Sequence, residues 1–100
     1  MEGLELACFE IISNVGTAKS CYINAIHKAK EGDYEEAKKL IEEGNKMYAE
    51  GHKAHVEKEA SGESVETCLL LIHAEDQMMS AETFQVLAGE FIDLCKMINK

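Results

Sequence analysis

The sequence of 100 residues contains no proline, only 7 glycines and 6% aromatic residues. Proline and glycine are the strongest helix breakers, whereas β-sheets favour β-branched and aromatic side chains. Alanine, glutamate, lysine and leucine are abundant instead. The composition therefore predicts an all-α protein with long uninterrupted helices and argues against a β-sandwich.

Basic residues are also scarce. Lysine and arginine together number 10, whereas aspartate and glutamate number 19, which gives a net charge of −9 at pH 7. Such a charge repels nucleic-acid phosphates and anionic lipid headgroups, and the sequence has no basic patch to offset it. We expect no nucleic acid and no membrane surface as partner, but a protein with a basic or apolar face. With 46% hydrophobic residues the chain is too apolar for a disordered acidic tail, so residues 1–100 are expected to form a single domain.

Long hydrophobic runs and paired cysteines are missing too. The longest purely apolar run has five residues, Cys68–Ile72, whereas a transmembrane helix needs about 20. The opening Met-Glu-Gly-Leu-Glu has no basic stretch typical of a secretory signal, so we expect a cytoplasmic protein without membrane insertion. No Cys-x-x-Cys pair occurs, and the cysteines lie among apolar neighbours, which predicts reduced packing residues at Cys8, Cys21, Cys68 and Cys95.

Apolar residues at alternating steps of four and three predict a first helix of about 28 residues that ends near Lys30. Gly32 suits the left-handed position after a helix, and Asp33 with Glu36 forms a capping-box pattern that starts a second helix at Tyr34. The predicted inward positions of the first helix are Leu4, Cys8, Ile11, Val15, Ala18, Tyr22, Ala25 and Ala29.

The second helix is predicted to run to about Ala60, and its inward face is made of small or polar residues, which implies close approach by a neighbouring helix. Ser64 is the predicted N-cap of a third helix from Val65 to near Asn99. Three long helices joined by two short turns predict an antiparallel up-down-up three-helix bundle. The inward positions of the second helix are Ala37, Ile41, Gly44, Tyr48, Gly51 and His55.

The third helix carries two apolar stripes, about 120 to 160° apart around its axis at 100° per residue. Three helices of one chain cannot readily cover both stripes, so the second is expected to pack against copies of itself in a homo-oligomer. The first stripe consists of Leu70, Ala74, Ala81, Ala88, Cys95 and Ile98, and the second consists of Val65, Leu69, Ile72, Met79 and Val86.

Two polar residues interrupt this apolar helix. His73 lies at the border between the stripes, with Gln77 and Ser80 on the same side, and Asp76 continues the second stripe. A neutral imidazole is a nucleophile near pH 7 and its phosphoramidate can be passed on, so a histidine on a rigid helix can relay a phosphoryl group without ATP. A structural histidine and a solvent-facing aspartate are the simpler alternatives.

The other candidate residues form weaker patterns. His52 and His55 at i, i+3 could hold a metal ion, but spacing fixes no third ligand. His27 near a helix end suits the helix dipole, and the run Glu35–Glu43 is interpreted as a solvated face. The sequence has no glycine-rich phosphate loop, no G-x-S-x-G motif and no zinc signature.

The segment Leu70–Met79, with the sequence LLIHAEDQMM, resembles the hydrophobic-H-A-Q-D-H-L-M signature of the lactose/cellobiose family of IIA components of the bacterial sugar phosphotransferase system. The segments Asn14–Ala18, Glu31–Asp33 and Glu59–Glu63 are also similar to that family, so the resemblance covers essentially the whole chain.

This resemblance implies a three-helix protomer, a homotrimer that associates through the third helix, and a phosphotransferase activity with a phosphohistidine intermediate. The histidine-containing phosphocarrier protein would phosphorylate His73 at Nε2, and a cysteine of the cognate IIB component would accept the group, for uptake of a sugar of the lactose, cellobiose or chitobiose type. The resemblance also implies that Asp76 lies on the trimer axis as a ligand to Mg²⁺.

Three departures from the family pattern accompany the resemblance. The signature glutamine is Glu75, the second signature histidine is Gln77, and the end of the second helix, His55–Ala60, is about three residues shorter than the family pattern. A three-residue deletion turns a helix by only about 60°. We expect Glu75 and Gln77 to mark a different sugar branch or to alter transfer rates.

Two other functions are compatible with a helical chain. A histidine phosphotransfer module of a two-component relay normally has lysine and glycine at helical spacing after its histidine, whereas here His73 is followed by Ala74, Glu75, Asp76 and Gln77. A helical oligomerisation module would involve no phosphoryl chemistry. Incubation with phosphoenolpyruvate, enzyme I and the phosphocarrier protein separates the three functions, because only a IIA component should gain an acid-labile phosphate.

Overall fold

The computed structural model describes residues 3–60 and 69–99 of the chain. Within these ranges all regular structure is helical, and the helices are α1 (Gly3–Lys30), α2 (Tyr34–Ala60) and α3 (Leu69–Ile98). The prediction of an all-α fold with three long helices is confirmed. The predicted start of the third helix at Val65 and its N-cap Ser64 lie outside the described residues, as does Cys68.

The turn between α1 and α2 is built from the residues that the sequence indicates. Gly32 has φ of 86°, in the left-handed region that favours glycine. The backbone N–H of Asp33 donates to the carbonyl oxygen of Lys28 at 2.9 Å. The N–H of Glu36 donates to Oδ1 of Asp33 at 3.2 Å, which caps the first turn of α2. The start of α2 is therefore fixed locally.

The inward face of α1 forms the centre of the core. All of its predicted positions whose side chains the structure describes are buried and at most 1% exposed. Ala74 and Met78 pack against its N-terminal part, Ala88 against its middle, and Ile92 near its C-terminal part. The predicted stripe of α1 is confirmed at Cys8, Ile11, Val15, Ala18, Tyr22, Ala25 and Ala29.

Close contact between α1 and α2 depends on two buried glycines of α2. A Cβ added to Gly44 would lie 2.7 Å from Cε1 of Tyr22, and one added to Gly51 would lie 2.9 Å from Cγ1 of Val15. Neither position has room for a side chain. The close approach predicted from the small inward residues of the second helix is confirmed.

A hydrogen-bond network joins the three helices around Tyr22. The hydroxyl of Tyr22 donates to Oδ1 of Asn45 on α2 at 2.8 Å, and Nε2 of Gln85 on α3 donates to the same oxygen at 2.6 Å. Burial raises the pKa of Tyr22 to about 12, because the phenolate would lose its hydration. The network fixes the relative positions of the helices near the middle of the protein.

The two stripes of α3 have different environments in the single chain. Ala74, Ala81 and Ala88 of the first stripe are fully buried, as predicted. Ile98 is 72% exposed, so its assignment to that stripe is wrong, because it lies about 120° around the helix from Ala74. The described members of the second stripe, Leu69, Ile72, Met79 and Val86, are between 51% and 83% exposed.

The cysteines behave as core or near-core residues within the described ranges. Cys8 and Cys21 are buried, Cys95 is partly buried, and all three are free thiols. Burial raises the pKa of the Cys21 thiol, and the nearby Glu43 carboxylate adds to that effect. Among the described residues, no helix has the length and apolar character needed to cross a membrane.

Candidate phosphoryl-transfer site

His73 lies in the N-terminal part of α3 with its side chain exposed. The next residue, Ala74, is fully buried against α1, so the backbone at this point is held by the core while the imidazole faces outward. A histidine in this setting has a fixed backbone and an open path to the ring. A second protein could therefore reach the imidazole without any opening of the fold.

Asp76 and Glu75 follow on the same helix and are both exposed. Asp76 lies about 60° around α3 from His73 and between Ile72 and Met79 of the second stripe, whereas Glu75 lies about 160° away from His73. Glu75 lines a surface groove with Tyr48 and His52 on that other side of the helix. The two acidic residues therefore face different surroundings.

Gln77 lies one turn beyond His73 and contacts α1. The ammonium nitrogen of Lys19 donates to Oε1 of Gln77 at 3.4 Å, and the same nitrogen lies 5.3 Å from the centroid of the Phe84 ring. Lys19 and Gln77 are both partly buried. The structure thus brings a cation to the edge of α3 on which His73 lies, an arrangement that spacing within α3 does not reveal.

The remaining histidines do not assemble a site with His73 in the described part of the chain. His27 and His52 are exposed, on α1 and α2 respectively, and the side chain of His55 lies outside the described residues.

Asp76 supplies one carboxylate, the hard oxygen ligand that suits Mg²⁺. Among the described residues no three histidine, cysteine, aspartate or glutamate side chains come together as a metal-binding group. A cation on Asp76 would need further ligands from water or from other copies of the chain. Asp76 by itself does not form a complete site.

The surroundings of His73 favour transfer to and from another macromolecule. The imidazole is exposed on a helix surface, one turn before Gln77, whose side-chain amide contacts Lys19. An exposed nucleophile can be approached in line by a large donor and later by a large acceptor. The geometry therefore suits a group that is carried between proteins.

Comparison with known proteins gives a consistent result. The sequence model of the family described as "PTS system, Lactose/Cellobiose specific IIA subunit" matches residues 6–96. The lichenan-specific phosphotransferase enzyme IIA component of Bacillus subtilis strain 168 is 36% identical over 102 aligned positions, covering 99% of this chain and 93% of that relative. The oligo-beta-mannoside-specific EIIA component of the same strain is 37% identical over 98 positions, covering 95% and 89%.

A solved structure extends the similarity to the fold. The crystal structure of the cellobiose-specific enzyme IIA from Bacillus anthracis matches with a TM-score of 0.91 and 37% sequence identity. The match covers 99% of this chain and 94% of that one. The similarity therefore includes all three helices and the segment that contains His73.

Proposed function

This chain belongs to the lactose/cellobiose-specific family of IIA components of the sugar phosphotransferase system, and on that basis we propose that it carries a phosphoryl group on His73. The observation that carries the proposal is the exposed imidazole of His73 on a helix anchored in the core. It lies in the segment Leu70–Met79, which resembles the family signature. The donor in this proposal is the histidine-containing phosphocarrier protein, and the acceptor is a cysteine of the cognate IIB component.

The proposed transfer needs no nucleotide. Nε2 of neutral His73 attacks the phosphorus of the donor's phosphohistidine, and the donor's P–N bond breaks as its electron pair returns to the donor ring. One proton passes from the His73 ring to the departing donor imidazole. In the second step the IIB thiolate attacks the phosphorus, the His73 P–N bond breaks, and the His73 ring regains a proton equivalent to the one lost from the thiol.

The same proposal includes the assembly of the protein. The second stripe of α3 is exposed in the single chain at Ile72, Met79 and Val86, and packing against two other copies would cover it. Antiparallel packing of α1 and α2 is supported by Gly44, which meets Tyr22, and by Gly51, farther along α2, which meets Val15, earlier in α1. The up-down-up order is supported further by α3, because its early residue Ala74 shares a cluster with Cys8 and its late residue Ile92 shares one with Ala29.

We place Asp76 on the axis of this proposed trimer as the ligand of one Mg²⁺ ion per trimer. Its exposed position between Ile72 and Met79 would bring three carboxylates together when three α3 helices pack side by side. Three adjacent carboxylates repel one another unless a cation or protonation relieves them. Mg²⁺ would supply that charge neutralisation and would have no direct part in the reaction at His73.

The names of the relatives support a proposal about the sugar. The lichenan- and oligo-beta-mannoside-specific components and the cellobiose-specific structure all concern β-linked sugars. We propose that this chain serves a system for a β-linked oligosaccharide, of the lactose, cellobiose or chitobiose type, and that it works in the cytoplasm, where its donor is found.

Phosphorylation in a purified system tests the proposed role. The chain is incubated with phosphoenolpyruvate, enzyme I and the phosphocarrier protein, and acid-labile phosphate is measured by intact mass. The wild type should gain one phosphoryl group, and His73→Gln should gain none while its helical content by circular dichroism is unchanged. His52→Gln and His27→Gln are matched controls, because both replace exposed histidines on other helices.

The same experiment distinguishes the two alternative functions. A module of a two-component relay would take phosphate from an aspartyl-phosphate donor and not from the phosphocarrier protein. An oligomerisation module would take phosphate from neither. Uptake by His73→Gln equal to that of the wild type would show that another residue is the acceptor.

A further inference from the structure

The positive charge of Lys19 has no acidic partner among the described residues. Its ammonium group contacts the amide oxygen of Gln77 at 3.4 Å and the ring of Phe84 at 5.3 Å, which are both neutral groups. Lys28, by comparison, pairs with Glu31 at 3.5 Å. In a chain with 19 acidic residues, a partly buried lysine held only by neutral groups keeps its charge available for an anion from outside.

The contact with Lys19 also orients the side-chain amide of Gln77. An ammonium group has hydrogen-bond donors and no acceptor, so the amide atom that faces it must be Oε1. The Nε2 group, with two N–H donors, then points away from Lys19. Within the described part of the chain no other hydrogen bond occupies this Nε2 group.

Gln77 is placed to reach a group on His73. It lies four residues beyond His73, which is about 6 Å along the helix axis and only about 40° around it. Helical side chains tilt toward the N-terminus, so the Gln77 side chain leans back toward the turn that carries His73. A phosphoryl group on that imidazole would bring three acceptor oxygens to the same side of α3.

We propose that Lys19 and Gln77 together bind the phosphoryl group that His73 carries. Lys19 supplies the positive charge and holds the Gln77 amide, whose Nε2 donates a hydrogen bond to a phosphoryl oxygen. This inference rests on the proposed phosphorylation of His73 and names the residues that make the phosphorylated form favourable.

The overall charge of the protein explains why such a pair is needed. Each phosphorylation adds a dianionic group to a chain that already has a net charge of −9, on a helix whose exposed Asp76 carboxylate lies only about 60° around the axis from His73. Hydrogen bonds to charged groups are stronger than those between neutral groups, by roughly a factor of two. A cation and an oriented amide on the Lys19 side therefore offset the repulsion.

The equilibrium of phosphoryl exchange with the phosphocarrier protein tests this proposal. Lys19→Met should lower the equilibrium constant for phosphorylation of His73 about tenfold, because a charge-assisted interaction with the phosphoryl group is lost. Lys19→Arg should retain most of the wild-type value. Gln77→Met should lower it about threefold, because it removes the amide at similar size.

Lys96→Met is the matched control. Lys96 also lies against an aromatic ring, with its nitrogen 5.6 Å from the centroid of Tyr34, but it is 23 residues beyond His73 on the same helix. The Lys96→Met substitution therefore removes the same charge and a similar contact with an aromatic ring, but far from the imidazole of His73. Its equilibrium constant should equal that of the wild type.

The outcomes separate this inference from the proposed function. A wild type that takes no phosphate contradicts the proposed function itself. A wild type that is phosphorylated normally, with Lys19→Met and Lys96→Met giving the same equilibrium constant, overturns only the role of Lys19. Circular dichroism verifies the fold of each variant. If Lys19→Met loses helical content, the test rests on Gln77→Met and Lys19→Arg instead. Equilibrium constants equal to the wild-type value in both of these variants, beside an unfolded Lys19→Met, would show that Lys19 has only a structural role.

Discussion

Gly44 of α2 packs against the ring of Tyr22 of α1 so closely that a Cβ at Gly44 would lie 2.7 Å from Cε1 and 3.0 Å from Cδ1 of that ring. The ring has no room to retreat, because Tyr22 is fully buried and its hydroxyl is tied to Asn45 on α2. The absent side chain at Gly44 therefore sets the distance between the two helices.

Gly44→Ala should destabilise the protein, by about 1–3 kcal/mol in the free energy of unfolding, because the added methyl group overpacks the Tyr22 ring. The loss should exceed the gain of about 1 kcal/mol that alanine normally brings to a helix interior. Thermal and urea unfolding followed by circular dichroism measure the change.

Gly89→Ala is the control for this substitution. Gly89 is also inside a helix, but a Cβ there meets no atom within 4 Å, so the alanine should raise stability by about 0.5–1 kcal/mol. An equal rise in melting temperature for both variants would contradict the tight contact between α1 and α2.

The buried hydroxyl of Tyr22 predicts a loss of stability at alkaline pH. Its pKa is raised to about 12 from the usual 10.0, chiefly by burial, so the unfolded chain releases this proton at a lower pH than the folded chain. The protonated Tyr22 hydroxyl therefore contributes fully to the free energy of unfolding below pH 10, and this contribution is lost as the pH rises toward 12. The loss should be on the order of 2 kcal/mol by pH 12.

Tyr22→Phe isolates this effect, because it removes the ionisable group and leaves the ring in place. The variant loses the hydrogen bond to Asn45 and should be less stable at neutral pH by about 1 kcal/mol. Urea unfolding from pH 8 to pH 12 measures both proteins, and the stability of the variant should fall less steeply above pH 10. Parallel curves for the two proteins would show that other groups cause the alkaline loss.

The predictable parts of the fold are those that local patterns determine. The heptad stripe of α1 identified the core positions because α1 is covered along one face from Cys8 to Ala29, and Gly32 with Asp33 fixed the turn because both act within a few residues. Ile98 was misassigned because its position has turned about 120° around α3 from Ala74, so it no longer faces α1.

The candidate site also has one part that the sequence predicts and one part that it does not. The position of His73 at the exposed edge of α3 follows from helical geometry within one segment. The contact between Lys19 and Gln77 joins residues 58 positions apart and depends on where a long flexible side chain rests against the Phe84 ring. Spacing within one helix carries no signal of it, so a lysine near the histidine could be found only once α1 and α3 were packed together.

The departures at Gln77 and Glu75 should tune phosphoryl transfer without abolishing it. The Gln77 amide is held at the edge of α3 that carries His73, and exposed Glu75 lies on another side of the helix. The wild type should therefore accept phosphate from the general phosphocarrier protein, and Gln77→His should change the rate by less than about tenfold. Rapid-quench measurement of phosphoryl uptake gives both rates. An inert wild type beside an active Gln77→His would show that the natural glutamine at position 77, in place of the family's histidine, has changed the role of the protein.

The exposed stripe of α3 predicts a trimer whose stability is limited by Asp76. Packing of three copies through Ile72 and Met79 would bring three Asp76 carboxylates into a poorly hydrated layer, so Asp76→Leu should keep the trimer and raise its stability by about 1–4 kcal/mol in metal-free buffer. Analytical ultracentrifugation measures the assembly and calorimetry the stability. Glu42→Leu is the control, because Glu42 is exposed on α2, away from the second stripe of α3, and its replacement should change stability by less than about 0.5 kcal/mol. A monomeric wild type, or an Asp76→Leu trimer less stable than the wild type in metal-free buffer, would refute the axial position of Asp76.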